Sequence, residues 1–513
     1  MLYPIGIQTF EKIREDDFVY VDKTALIHQL ASQKGYYFLS RPRRFGKSLL
    51  LSTLEAYFSG RKELFDGLAI EHLEKEWAEH PVLRLDLSGK AYDRSDVLEQ
   101  VMDDVLTKWE RMYGVNSRSN VPGLRFGNVI EAAHAKSGRP VVVLIDEYDK
   151  PIVDNLGNEE LADVFRMQLQ GFYSVMKTQD AHIRFGFLTG VTKLGQLSVF
   201  SGLNNLMDIS IDARYAEICG ISESELRVVF PESVAELAAA NGLSTEQCYQ
   251  KLAHWYDGYR FHPRAGGLYN PFSLLNTFAK LEFHKYWFAT GTPSFLVRYL
   301  AQSHFQLENM NGITVSSSVL SGVNTSRPNP ITLLYQSGYL TIRSYNEPRD
   351  RYTLVYPNKE VEDGFLESLA EYFAPAQANN SSLSVDRFVE DITSGNVEML
   401  MRRFSAFFAD MDYRIMGEAE LYFQNTLYVM LKLIGQQVQV ERHTSNGRID
   451  ALIQTDKYVY ILELKRDKDP QDALDQIDEK GYDWPFMADN RKIFKIGASF
   501  STDTRRLEGW KIG

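Results

Sequence analysis

The sequence predicts a multidomain α/β protein, with a parallel sheet flanked by helices, then a helical middle, then a smaller mixed α/β unit at the C-terminal end. Three observations predict it. Residues 41–48 read Arg-Pro-Arg-Arg-Phe-Gly-Lys-Ser, between an apolar run at 36–39 and an amphipathic stretch at 49–58. Residues 141–147 read Val-Val-Val-Leu-Ile-Asp-Glu, a buried-strand pattern that ends in two carboxylates. Near the C-terminal end, Asp450 and the run Glu463-Leu-Lys465 fall on consecutive strand-like segments.

In the first part of the chain, apolar runs at 36–39, 82–87, 141–145, 183–188 and 207–211 are separated by longer amphipathic segments such as 95–112 and 159–176. Strands alternating with helices argue a parallel sheet covered on both faces. The order strand, basic-glycine loop, helix at 36–58 presents loop amides and a helix N-terminus to an anion. On this reading Arg43, Arg44, Phe45 and Gly46 wrap a nucleotide, Lys47 sits on its β- and γ-phosphates, and the Ser48 hydroxyl binds Mg2+. Asp146 shares that Mg2+, and Glu147 polarises the attacking water. Thr189, just past the fourth strand, is either a sensor of the γ-phosphate or an ordinary strand-end threonine. One departure stands out: the pattern G-x-x-x-x-G-K-[ST] asks for glycine at 41, where this chain has Arg41. Without it the loop entry loses easy access to positive φ.

The region from about 216 to 310 reads as helical, with helix starts at Ser222 and Ser244. The aromatic turns Trp255-Tyr-Asp-Gly-Tyr259 and Tyr269-Asn-Pro-Phe272 are expected to anchor a core rather than touch a ligand. Residues 331–356 read helix, Gly338, strand, loop, strand, in the manner of a winged helix. Arg349 and Arg351 lie at the wing, and the unit is expected to dock on the sheet domain. The polar stretch 377–384 is a candidate loop. The expected boundaries are 1–215, 216–408 and 409–513.

Beyond about 410, Glu420 opens a helix running to Leu433, with Gly435 expected just past its end. Three strands follow at 438–443, 448–453 and 458–465, the first two joined by the turn Ser445-Asn446-Gly447. If Asp456 and Lys457 centre the next turn, cross-strand partners have numbers summing to 913. Asp450 then lies opposite Glu463, and Lys465 projects from the same face. Opposed carboxylates destabilise a bare hairpin, a cost easiest to understand if a cation sits between them. Asp469-Pro470 starts a helix carrying Gln476 and reaching Tyr482, and a strand at 492–498 closes the unit.

Composition narrows the setting. The 513 residues are 44% hydrophobic and 12% aromatic, ample for packed cores, and the net charge of -12 leaves no global basic field for nucleic acid. Any such contact must come from local patches or metal ions. Two cysteines, Cys219 and Cys248, make neither a disulfide framework nor a zinc site and fit a reducing cytoplasm. The start lacks a signal-peptide pattern and no run approaches the ~18 apolar residues of a membrane span. The expectation is a soluble cytoplasmic protein with no membrane partner.

Taken with Tyr20-Val-Asp-Lys-Thr24, Leu144-Ile-Asp-Glu-Tyr-Asp149, Phe187-Leu-Thr-Gly-Val191, Phe200-Ser-Gly-Leu-Asn-Asn205 and Gly447-Arg-Ile-Asp450, these motifs give a near full-length resemblance. The chain resembles the bacterial and archaeal AAA-ATPase-like proteins that carry a C-terminal PD-(D/E)XK nuclease domain. In that family arginine at the position of Arg41 is usual. The resemblance implies a P-loop NTPase sheet of order 5-1-4-3-2, a helical and winged-helix-like middle, and an αβββαβ nuclease module. It further implies ATP and Mg2+ as cofactors, Asp450 and Glu463 as metal ligands, Lys465 as the catalytic amine, and Glu420 and Gln476 as accessory residues. The expected partner is nucleic acid, DNA ahead of RNA, with a homo-oligomer as a further expectation and a suggested link to defence or mobile elements. Whether Arg43 and Arg44 serve their own subunit's nucleotide or a neighbour's is left open by spacing. Three functions compete: an ATP-regulated nuclease, an ATPase switch whose nuclease-like domain only binds, and a P-loop kinase. The intact Asp450, Glu463 and Lys465 favour the first over the second, and Glu147 speaks for hydrolysis over the third.

Overall fold

A computed structural model describes residues 1–116, 119–193, 206–290, 294–303, 312–322, 328–373, 385–409, 419–435, 439–444, 447–488, 490–501, 503–504 and 506–513, together with 305, 307 and 310. The expected loop at 377–384, the motif at 200–205 and the turn residues Ser445 and Asn446 lie outside the described residues. The chain divides into two compact units. The first comprises Met1–Tyr299 with Asn311–Glu362, the second Leu300–Met310 with Asp363–Gly513.

The first unit is built on five parallel strands: β1 (Gly35–Ser40), β2 (Val82–Asp86), β3 (Val141–Asp146), β4 (Ile183–Gly190) and β5 (Leu206–Asp208). Their spatial order is β2-β3-β4-β1-β5, the expected 5-1-4-3-2 read from the other edge. Every residue of β3 is buried, as a β-branched run covered on both faces requires. The helices Val97–Tyr113 and Pro122–Ser137 stop at Gly114 and Gly138, both in the left-handed conformation that glycine adopts without a Cβ clash. The expected helix at 159–176 is two helices, Glu159–Tyr173 and Val175–Thr178.

Ser222 and Ser244 each form a capping box with the residue three positions on, Glu225 and Gln247. Between them and the aromatic turns runs a small ribbon that the periodicity did not announce, β6 (Ile221–Ser222) against β7 (Leu268–Tyr269). Tyr256, Tyr259 and Tyr269 are buried, in keeping with a core role. The winged element is a three-stranded sheet, β8 (Ile313–Val315), β9 (Thr341–Asn346) and β10 (Arg351–Val355), in the order β8-β10-β9. Gly338, before β9, has a φ of +90°, and a Cβ there would lie 2.7 Å from the Pro42 ring. This element therefore seats directly on the loop that follows β1.

The second unit carries a mixed sheet of β11 (Gln439–Thr444), β12 (Gly447–Gln454), β13 (Tyr458–Arg466), β14 (Lys492–Ser501) and β15 (Arg506–Ile512), in that order. β13 and β14 are parallel, joined by the helix Pro470–Glu479, and the other neighbours are antiparallel. Period-two alternation separates two cores. Ala451, Ile453, Tyr460 and Leu462 face Leu427, Leu431 and Ile434 of the helix Ala419–Gly435, while Leu452, Val459 and Ile461 face Leu474, Ile477 and Tyr482. Gly435 is the last residue of that helix, one position earlier in role than its expected place beyond the end. Phe388, Ile392, Leu400 and Phe404, on the helices Val385–Ser394 and Val397–Ala409, complete the first of these cores, so the second unit begins well before residue 409. Among the described residues, no helix is long and apolar enough to cross a membrane.

Candidate functional site

The loop after β1 makes its two left-handed turns at Arg44 (φ 64°) and Gly46 (φ 93°), not at Arg41. The glycine missing from position 41 is therefore not needed there. Arg41 does other work. It is 1% exposed, its guanidinium donates to the carbonyls of Ser40 (2.9 Å), Ser210 (2.9 Å) and Tyr215 (3.2 Å), and it lies 3.9 Å over the Phe261 ring. Burial lowers its pKa to about 10, which leaves it charged at neutral pH while it ties the end of β1 to the segment after β5. Phe45 is also buried, edge-on to Tyr259 and Phe261. Its side chain thus packs the loop onto the helical region, because an aromatic at a loop bend finds apolar cover there; it does not wall the cleft as a nucleotide contact would.

Lys47 opens the helix Lys47–Phe58, and its Nζ donates to the carbonyls of Arg41 (3.0 Å) and Pro42 (3.2 Å). The loop thus curls around the ammonium. A cleft of about 290 Å³ lies before it, walled by Arg43, Arg44, Lys47, Ser48 and Glu147 and, from outside the motifs, by residues 4–8 and Phe272. Five amino acids near the N-terminus as a cleft wall were not legible in the sequence. The Arg44 guanidinium sits 5.0 Å over the Phe272 ring.

Asp146, the neighbour of Glu147, and Thr189 are both buried, with the threonine hydroxyl donating to Asp146 Oδ1 at 2.6 Å. Thr189 therefore aims the carboxylate. Glu147 carries a φ of 53°, an uncommon conformation for a residue with a Cβ, and one that concentrates at functional sites. The two residues that follow hold it. The Tyr148 N–H donates to the Thr189 carbonyl (3.0 Å), and Asp149 accepts from the backbone of Val191 (3.2 Å) and from the backbone (2.6 Å) and hydroxyl (2.7 Å) of Thr192. Gly190 makes room, since a Cβ there would lie 2.5 Å from Asp149 Oδ1. Burial above all, and then Glu147, pushes the Asp149 pKa up to about 6, against the lowering by Thr192 and Lys47. The run Asp-Glu-Tyr-Asp is the sequence signal from which Asp149 could have been picked.

In the second unit, β12 and β13 pair with numbers summing to 913, from Gln454↔Val459 to Ala451↔Leu462. The next step of that register is Asp450 with Glu463, where Asp450 Oδ2 accepts from the Leu464 N–H at 2.8 Å. Lys465 Nζ lies 3.3 Å from Glu463 Oε1, and the Gln476 amide bridges the two, accepting from Lys465 and donating to Glu463. The close approach is made by Gly497, opposite Glu463 on β14, where a Cβ would lie 2.3 Å from the Pro470 carbonyl. Asp469 caps the helix by accepting from the Gln471 N–H (2.8 Å). Glu463 is 5% exposed, and burial first, then Asp450, pushes its pKa up to about 7 while Lys465 opposes the shift. Its Oε2 is buried with no hydrogen-bond partner among the described residues. A lone carboxylate oxygen in that position, next to a second carboxylate, suits a hard divalent cation. Glu420 lies in the helix Ala419–Gly435, but its side chain falls outside the described residues. Asp450 and Glu463 are a pair only: among the described residues no group of three or more acidic, histidine or cysteine ligands gathers, here or elsewhere.

Known proteins match both units. Residues 4–200 fit the family model described as "Predicted AAA-ATPase", and residues 418–510 fit the model of the PD-(D/E)XK nuclease superfamily. The chain is similar to a protein of Azotobacter chroococcum mcd 1 described as "Uncharacterized protein in vnfD 5'region". The two are 39% identical over 520 residues, covering 99% of this chain and 98% of the relative. With the phosphate loop, the paired acids after β3 and the cluster on β12 and β13, these matches place the chain in the family that joins a predicted AAA-ATPase domain to a PD-(D/E)XK nuclease domain.

Proposed function

We propose that the first unit binds and hydrolyses ATP in the cleft before Lys47, and that its nucleotide state controls Mg2+-dependent cleavage of nucleic-acid phosphodiesters, DNA ahead of RNA, at Asp450, Glu463 and Lys465. The observation that carries the nuclease half is the gathering of Asp450, Lys465 and Gln476 about Glu463, whose Oε1 faces Lys465 and Gln476 while its buried Oε2 has no hydrogen-bond partner among the described residues. A binding module that never cleaves has no use for that oxygen. A cation held by the two carboxylates would polarise the phosphodiester and acidify a bound water. Lys465, hydrogen-bonded to Gln476, would orient that water for attack on phosphorus; the water would give up a proton to solvent as the bond to the leaving sugar oxygen breaks, and that oxygen would take a proton from solvent.

In the first unit, phosphate oxygens would replace the loop carbonyls around Lys47, and Ser48 and Asp146 are the residues to hold Mg2+. Glu147 would accept the proton of the attacking water. Arg43 and Arg44 are exposed at the cleft, within reach of a nucleotide in their own chain or in a second copy. Control by nucleotide requires that ATP favour one arrangement of the chain over another, and defence against foreign nucleic acid is a role in which such gating is useful. The test is cleavage of single- and double-stranded DNA and RNA with Mg2+. Wild type should cut at least one substrate, and Lys465→Ala should cut none while still hydrolysing ATP. Unimpaired cutting by Lys465→Ala would sink the assignment.

A further inference from the structure

Trp287 belongs to none of the motifs above, yet it is the outside support of the phosphate loop. It is 5% exposed, and its indole N–H donates to the Arg43 carbonyl at 3.1 Å. Its own backbone N–H donates to Glu360 Oε1 at 2.7 Å, and Glu360 is 1% exposed in the first turn of the helix Lys359–Phe373. The indole ring also rests on Tyr339, with ring centroids 5.2 Å apart. On its other side Trp287 is tied to the cleft itself. Its carbonyl accepts from the Thr290 hydroxyl at 2.8 Å, and Thr290 walls the cleft.

The direction of the indole bond matters. A trans peptide points its C=O and N–H in opposite directions. Holding the Arg43 carbonyl therefore fixes the Arg44 N–H of the same peptide unit, directed away from the indole. Arg44 is one of the two left-handed positions of the loop, and successive amides around such positions are what anion-binding loops offer to phosphate. A buried carboxylate is an expensive way merely to fill space, whereas an acceptor that locks one backbone N–H explains it.

We propose that Trp287 and Glu360 are positioning residues for the phosphate loop: Glu360 fixes the Trp287 backbone, and the indole then sets the Arg43–Arg44 peptide for phosphate. This rests on the reading of the cleft as a nucleotide site. The bland alternative is that Trp287 is simply a core aromatic, and the substitutions below separate the two.

Trp287→Phe keeps the ring packing and removes only the indole donor. By calorimetry the variant should bind ATP and tripolyphosphate about five- to tenfold more weakly, as expected for one lost hydrogen bond, with both ligands affected alike and an unfolding midpoint close to that of wild type. Glu360→Gln should bind like wild type, because its amide oxygen accepts the same N–H, whereas Glu360→Leu should lose affinity as Trp287→Phe does. Wild-type affinity in Trp287→Phe would overturn the proposal, as would equal losses in Glu360→Gln and Glu360→Leu. Failure of wild type to bind ATP in a Lys47-dependent way would instead remove the nucleotide reading beneath it.

Discussion

Cation binding in the second unit should expel a proton, and the structure sets how many at each pH. Glu463 is held up to about 7 by burial and by Asp450, so at pH 6 about nine in ten molecules carry a proton that a metal ligand cannot keep. Uptake of Mn2+ at pH 6 should release about 0.9 proton per ion, and at pH 8 about 0.1. Apparent affinity should therefore rise roughly tenfold between pH 6 and 8. The sign of the stability effect follows from the same shift. A carboxyl raised from its ordinary 4.5 to about 7 favours the fold fully below 4.5 and loses that contribution as pH rises through 7. Above neutrality the penalty from burial and from Asp450 comes to roughly 3 kcal/mol, and a bound cation offsets it. Calorimetric titration without nucleotide, in two buffers of different ionisation enthalpy, measures the proton count directly. Glu463→Gln should abolish both the strong site and the release. Equal proton release at pH 6 and 8, or retained tight binding in Glu463→Gln, would refute this electrostatic account.

Other expectations test separate links. Lys47→Ala should lose ATP binding altogether, whereas Glu147→Gln should bind ATP normally and turn it over at least 100-fold more slowly, on the order expected when a catalytic base is removed; nucleotide titration and phosphate release distinguish them. Asp149→Asn should lower kcat with KM nearly unchanged, because it disturbs the Asp149–Thr192 lock without touching the loop. ATP turnover by wild type should fall as pH drops through about 6, where Asp149 between Glu147 and Lys47 takes up its proton. The unfolding midpoint should not fall with it, since protonating a raised carboxyl favours the folded state. In the second unit, Gly497→Ala puts a methyl against the Pro470 carbonyl and should cost ~1–3 kcal/mol as overpacking, parting Gln476 from Lys465 so that cleavage falls while ATP turnover persists.

Much of this arrangement was legible because it rests on local rules. The 913 register follows from one two-residue turn and the period of a strand, so Asp450, Glu463 and Lys465 could be placed on one face before any coordinates. Ser222 and Ser244 carried their capping partners three residues on. What was not legible depends on residues brought together from far apart. The wall at 4–8, the Trp287–Arg43 bond and the seat of Gly338 on Pro42 join segments more than 200 residues apart or lack any periodic signature. β15 escaped because a strand of Arg-Leu-Glu-Gly-Trp-Lys-Ile, with a glycine at its centre, has weak strand propensity and is recruited by pairing with β14. Arg41 misled in the opposite sense. The motif's first glycine belongs at the loop entry, whereas the left-handed turns fall at Arg44 and Gly46.

Cleavage measured across nucleotide states tests the central claim most directly. The Glu147→Gln protein with ATP and Mg2+ holds the first unit in its ATP-bound state, while Lys47→Ala under the same conditions stays nucleotide-free. The two proteins should cut the same substrate at rates differing by several-fold, and wild type should shift between those rates as its ATP is consumed. Identical cleavage rates in all three, with ATP binding to Glu147→Gln verified in the same samples, would contradict the claim that nucleotide state governs the nuclease.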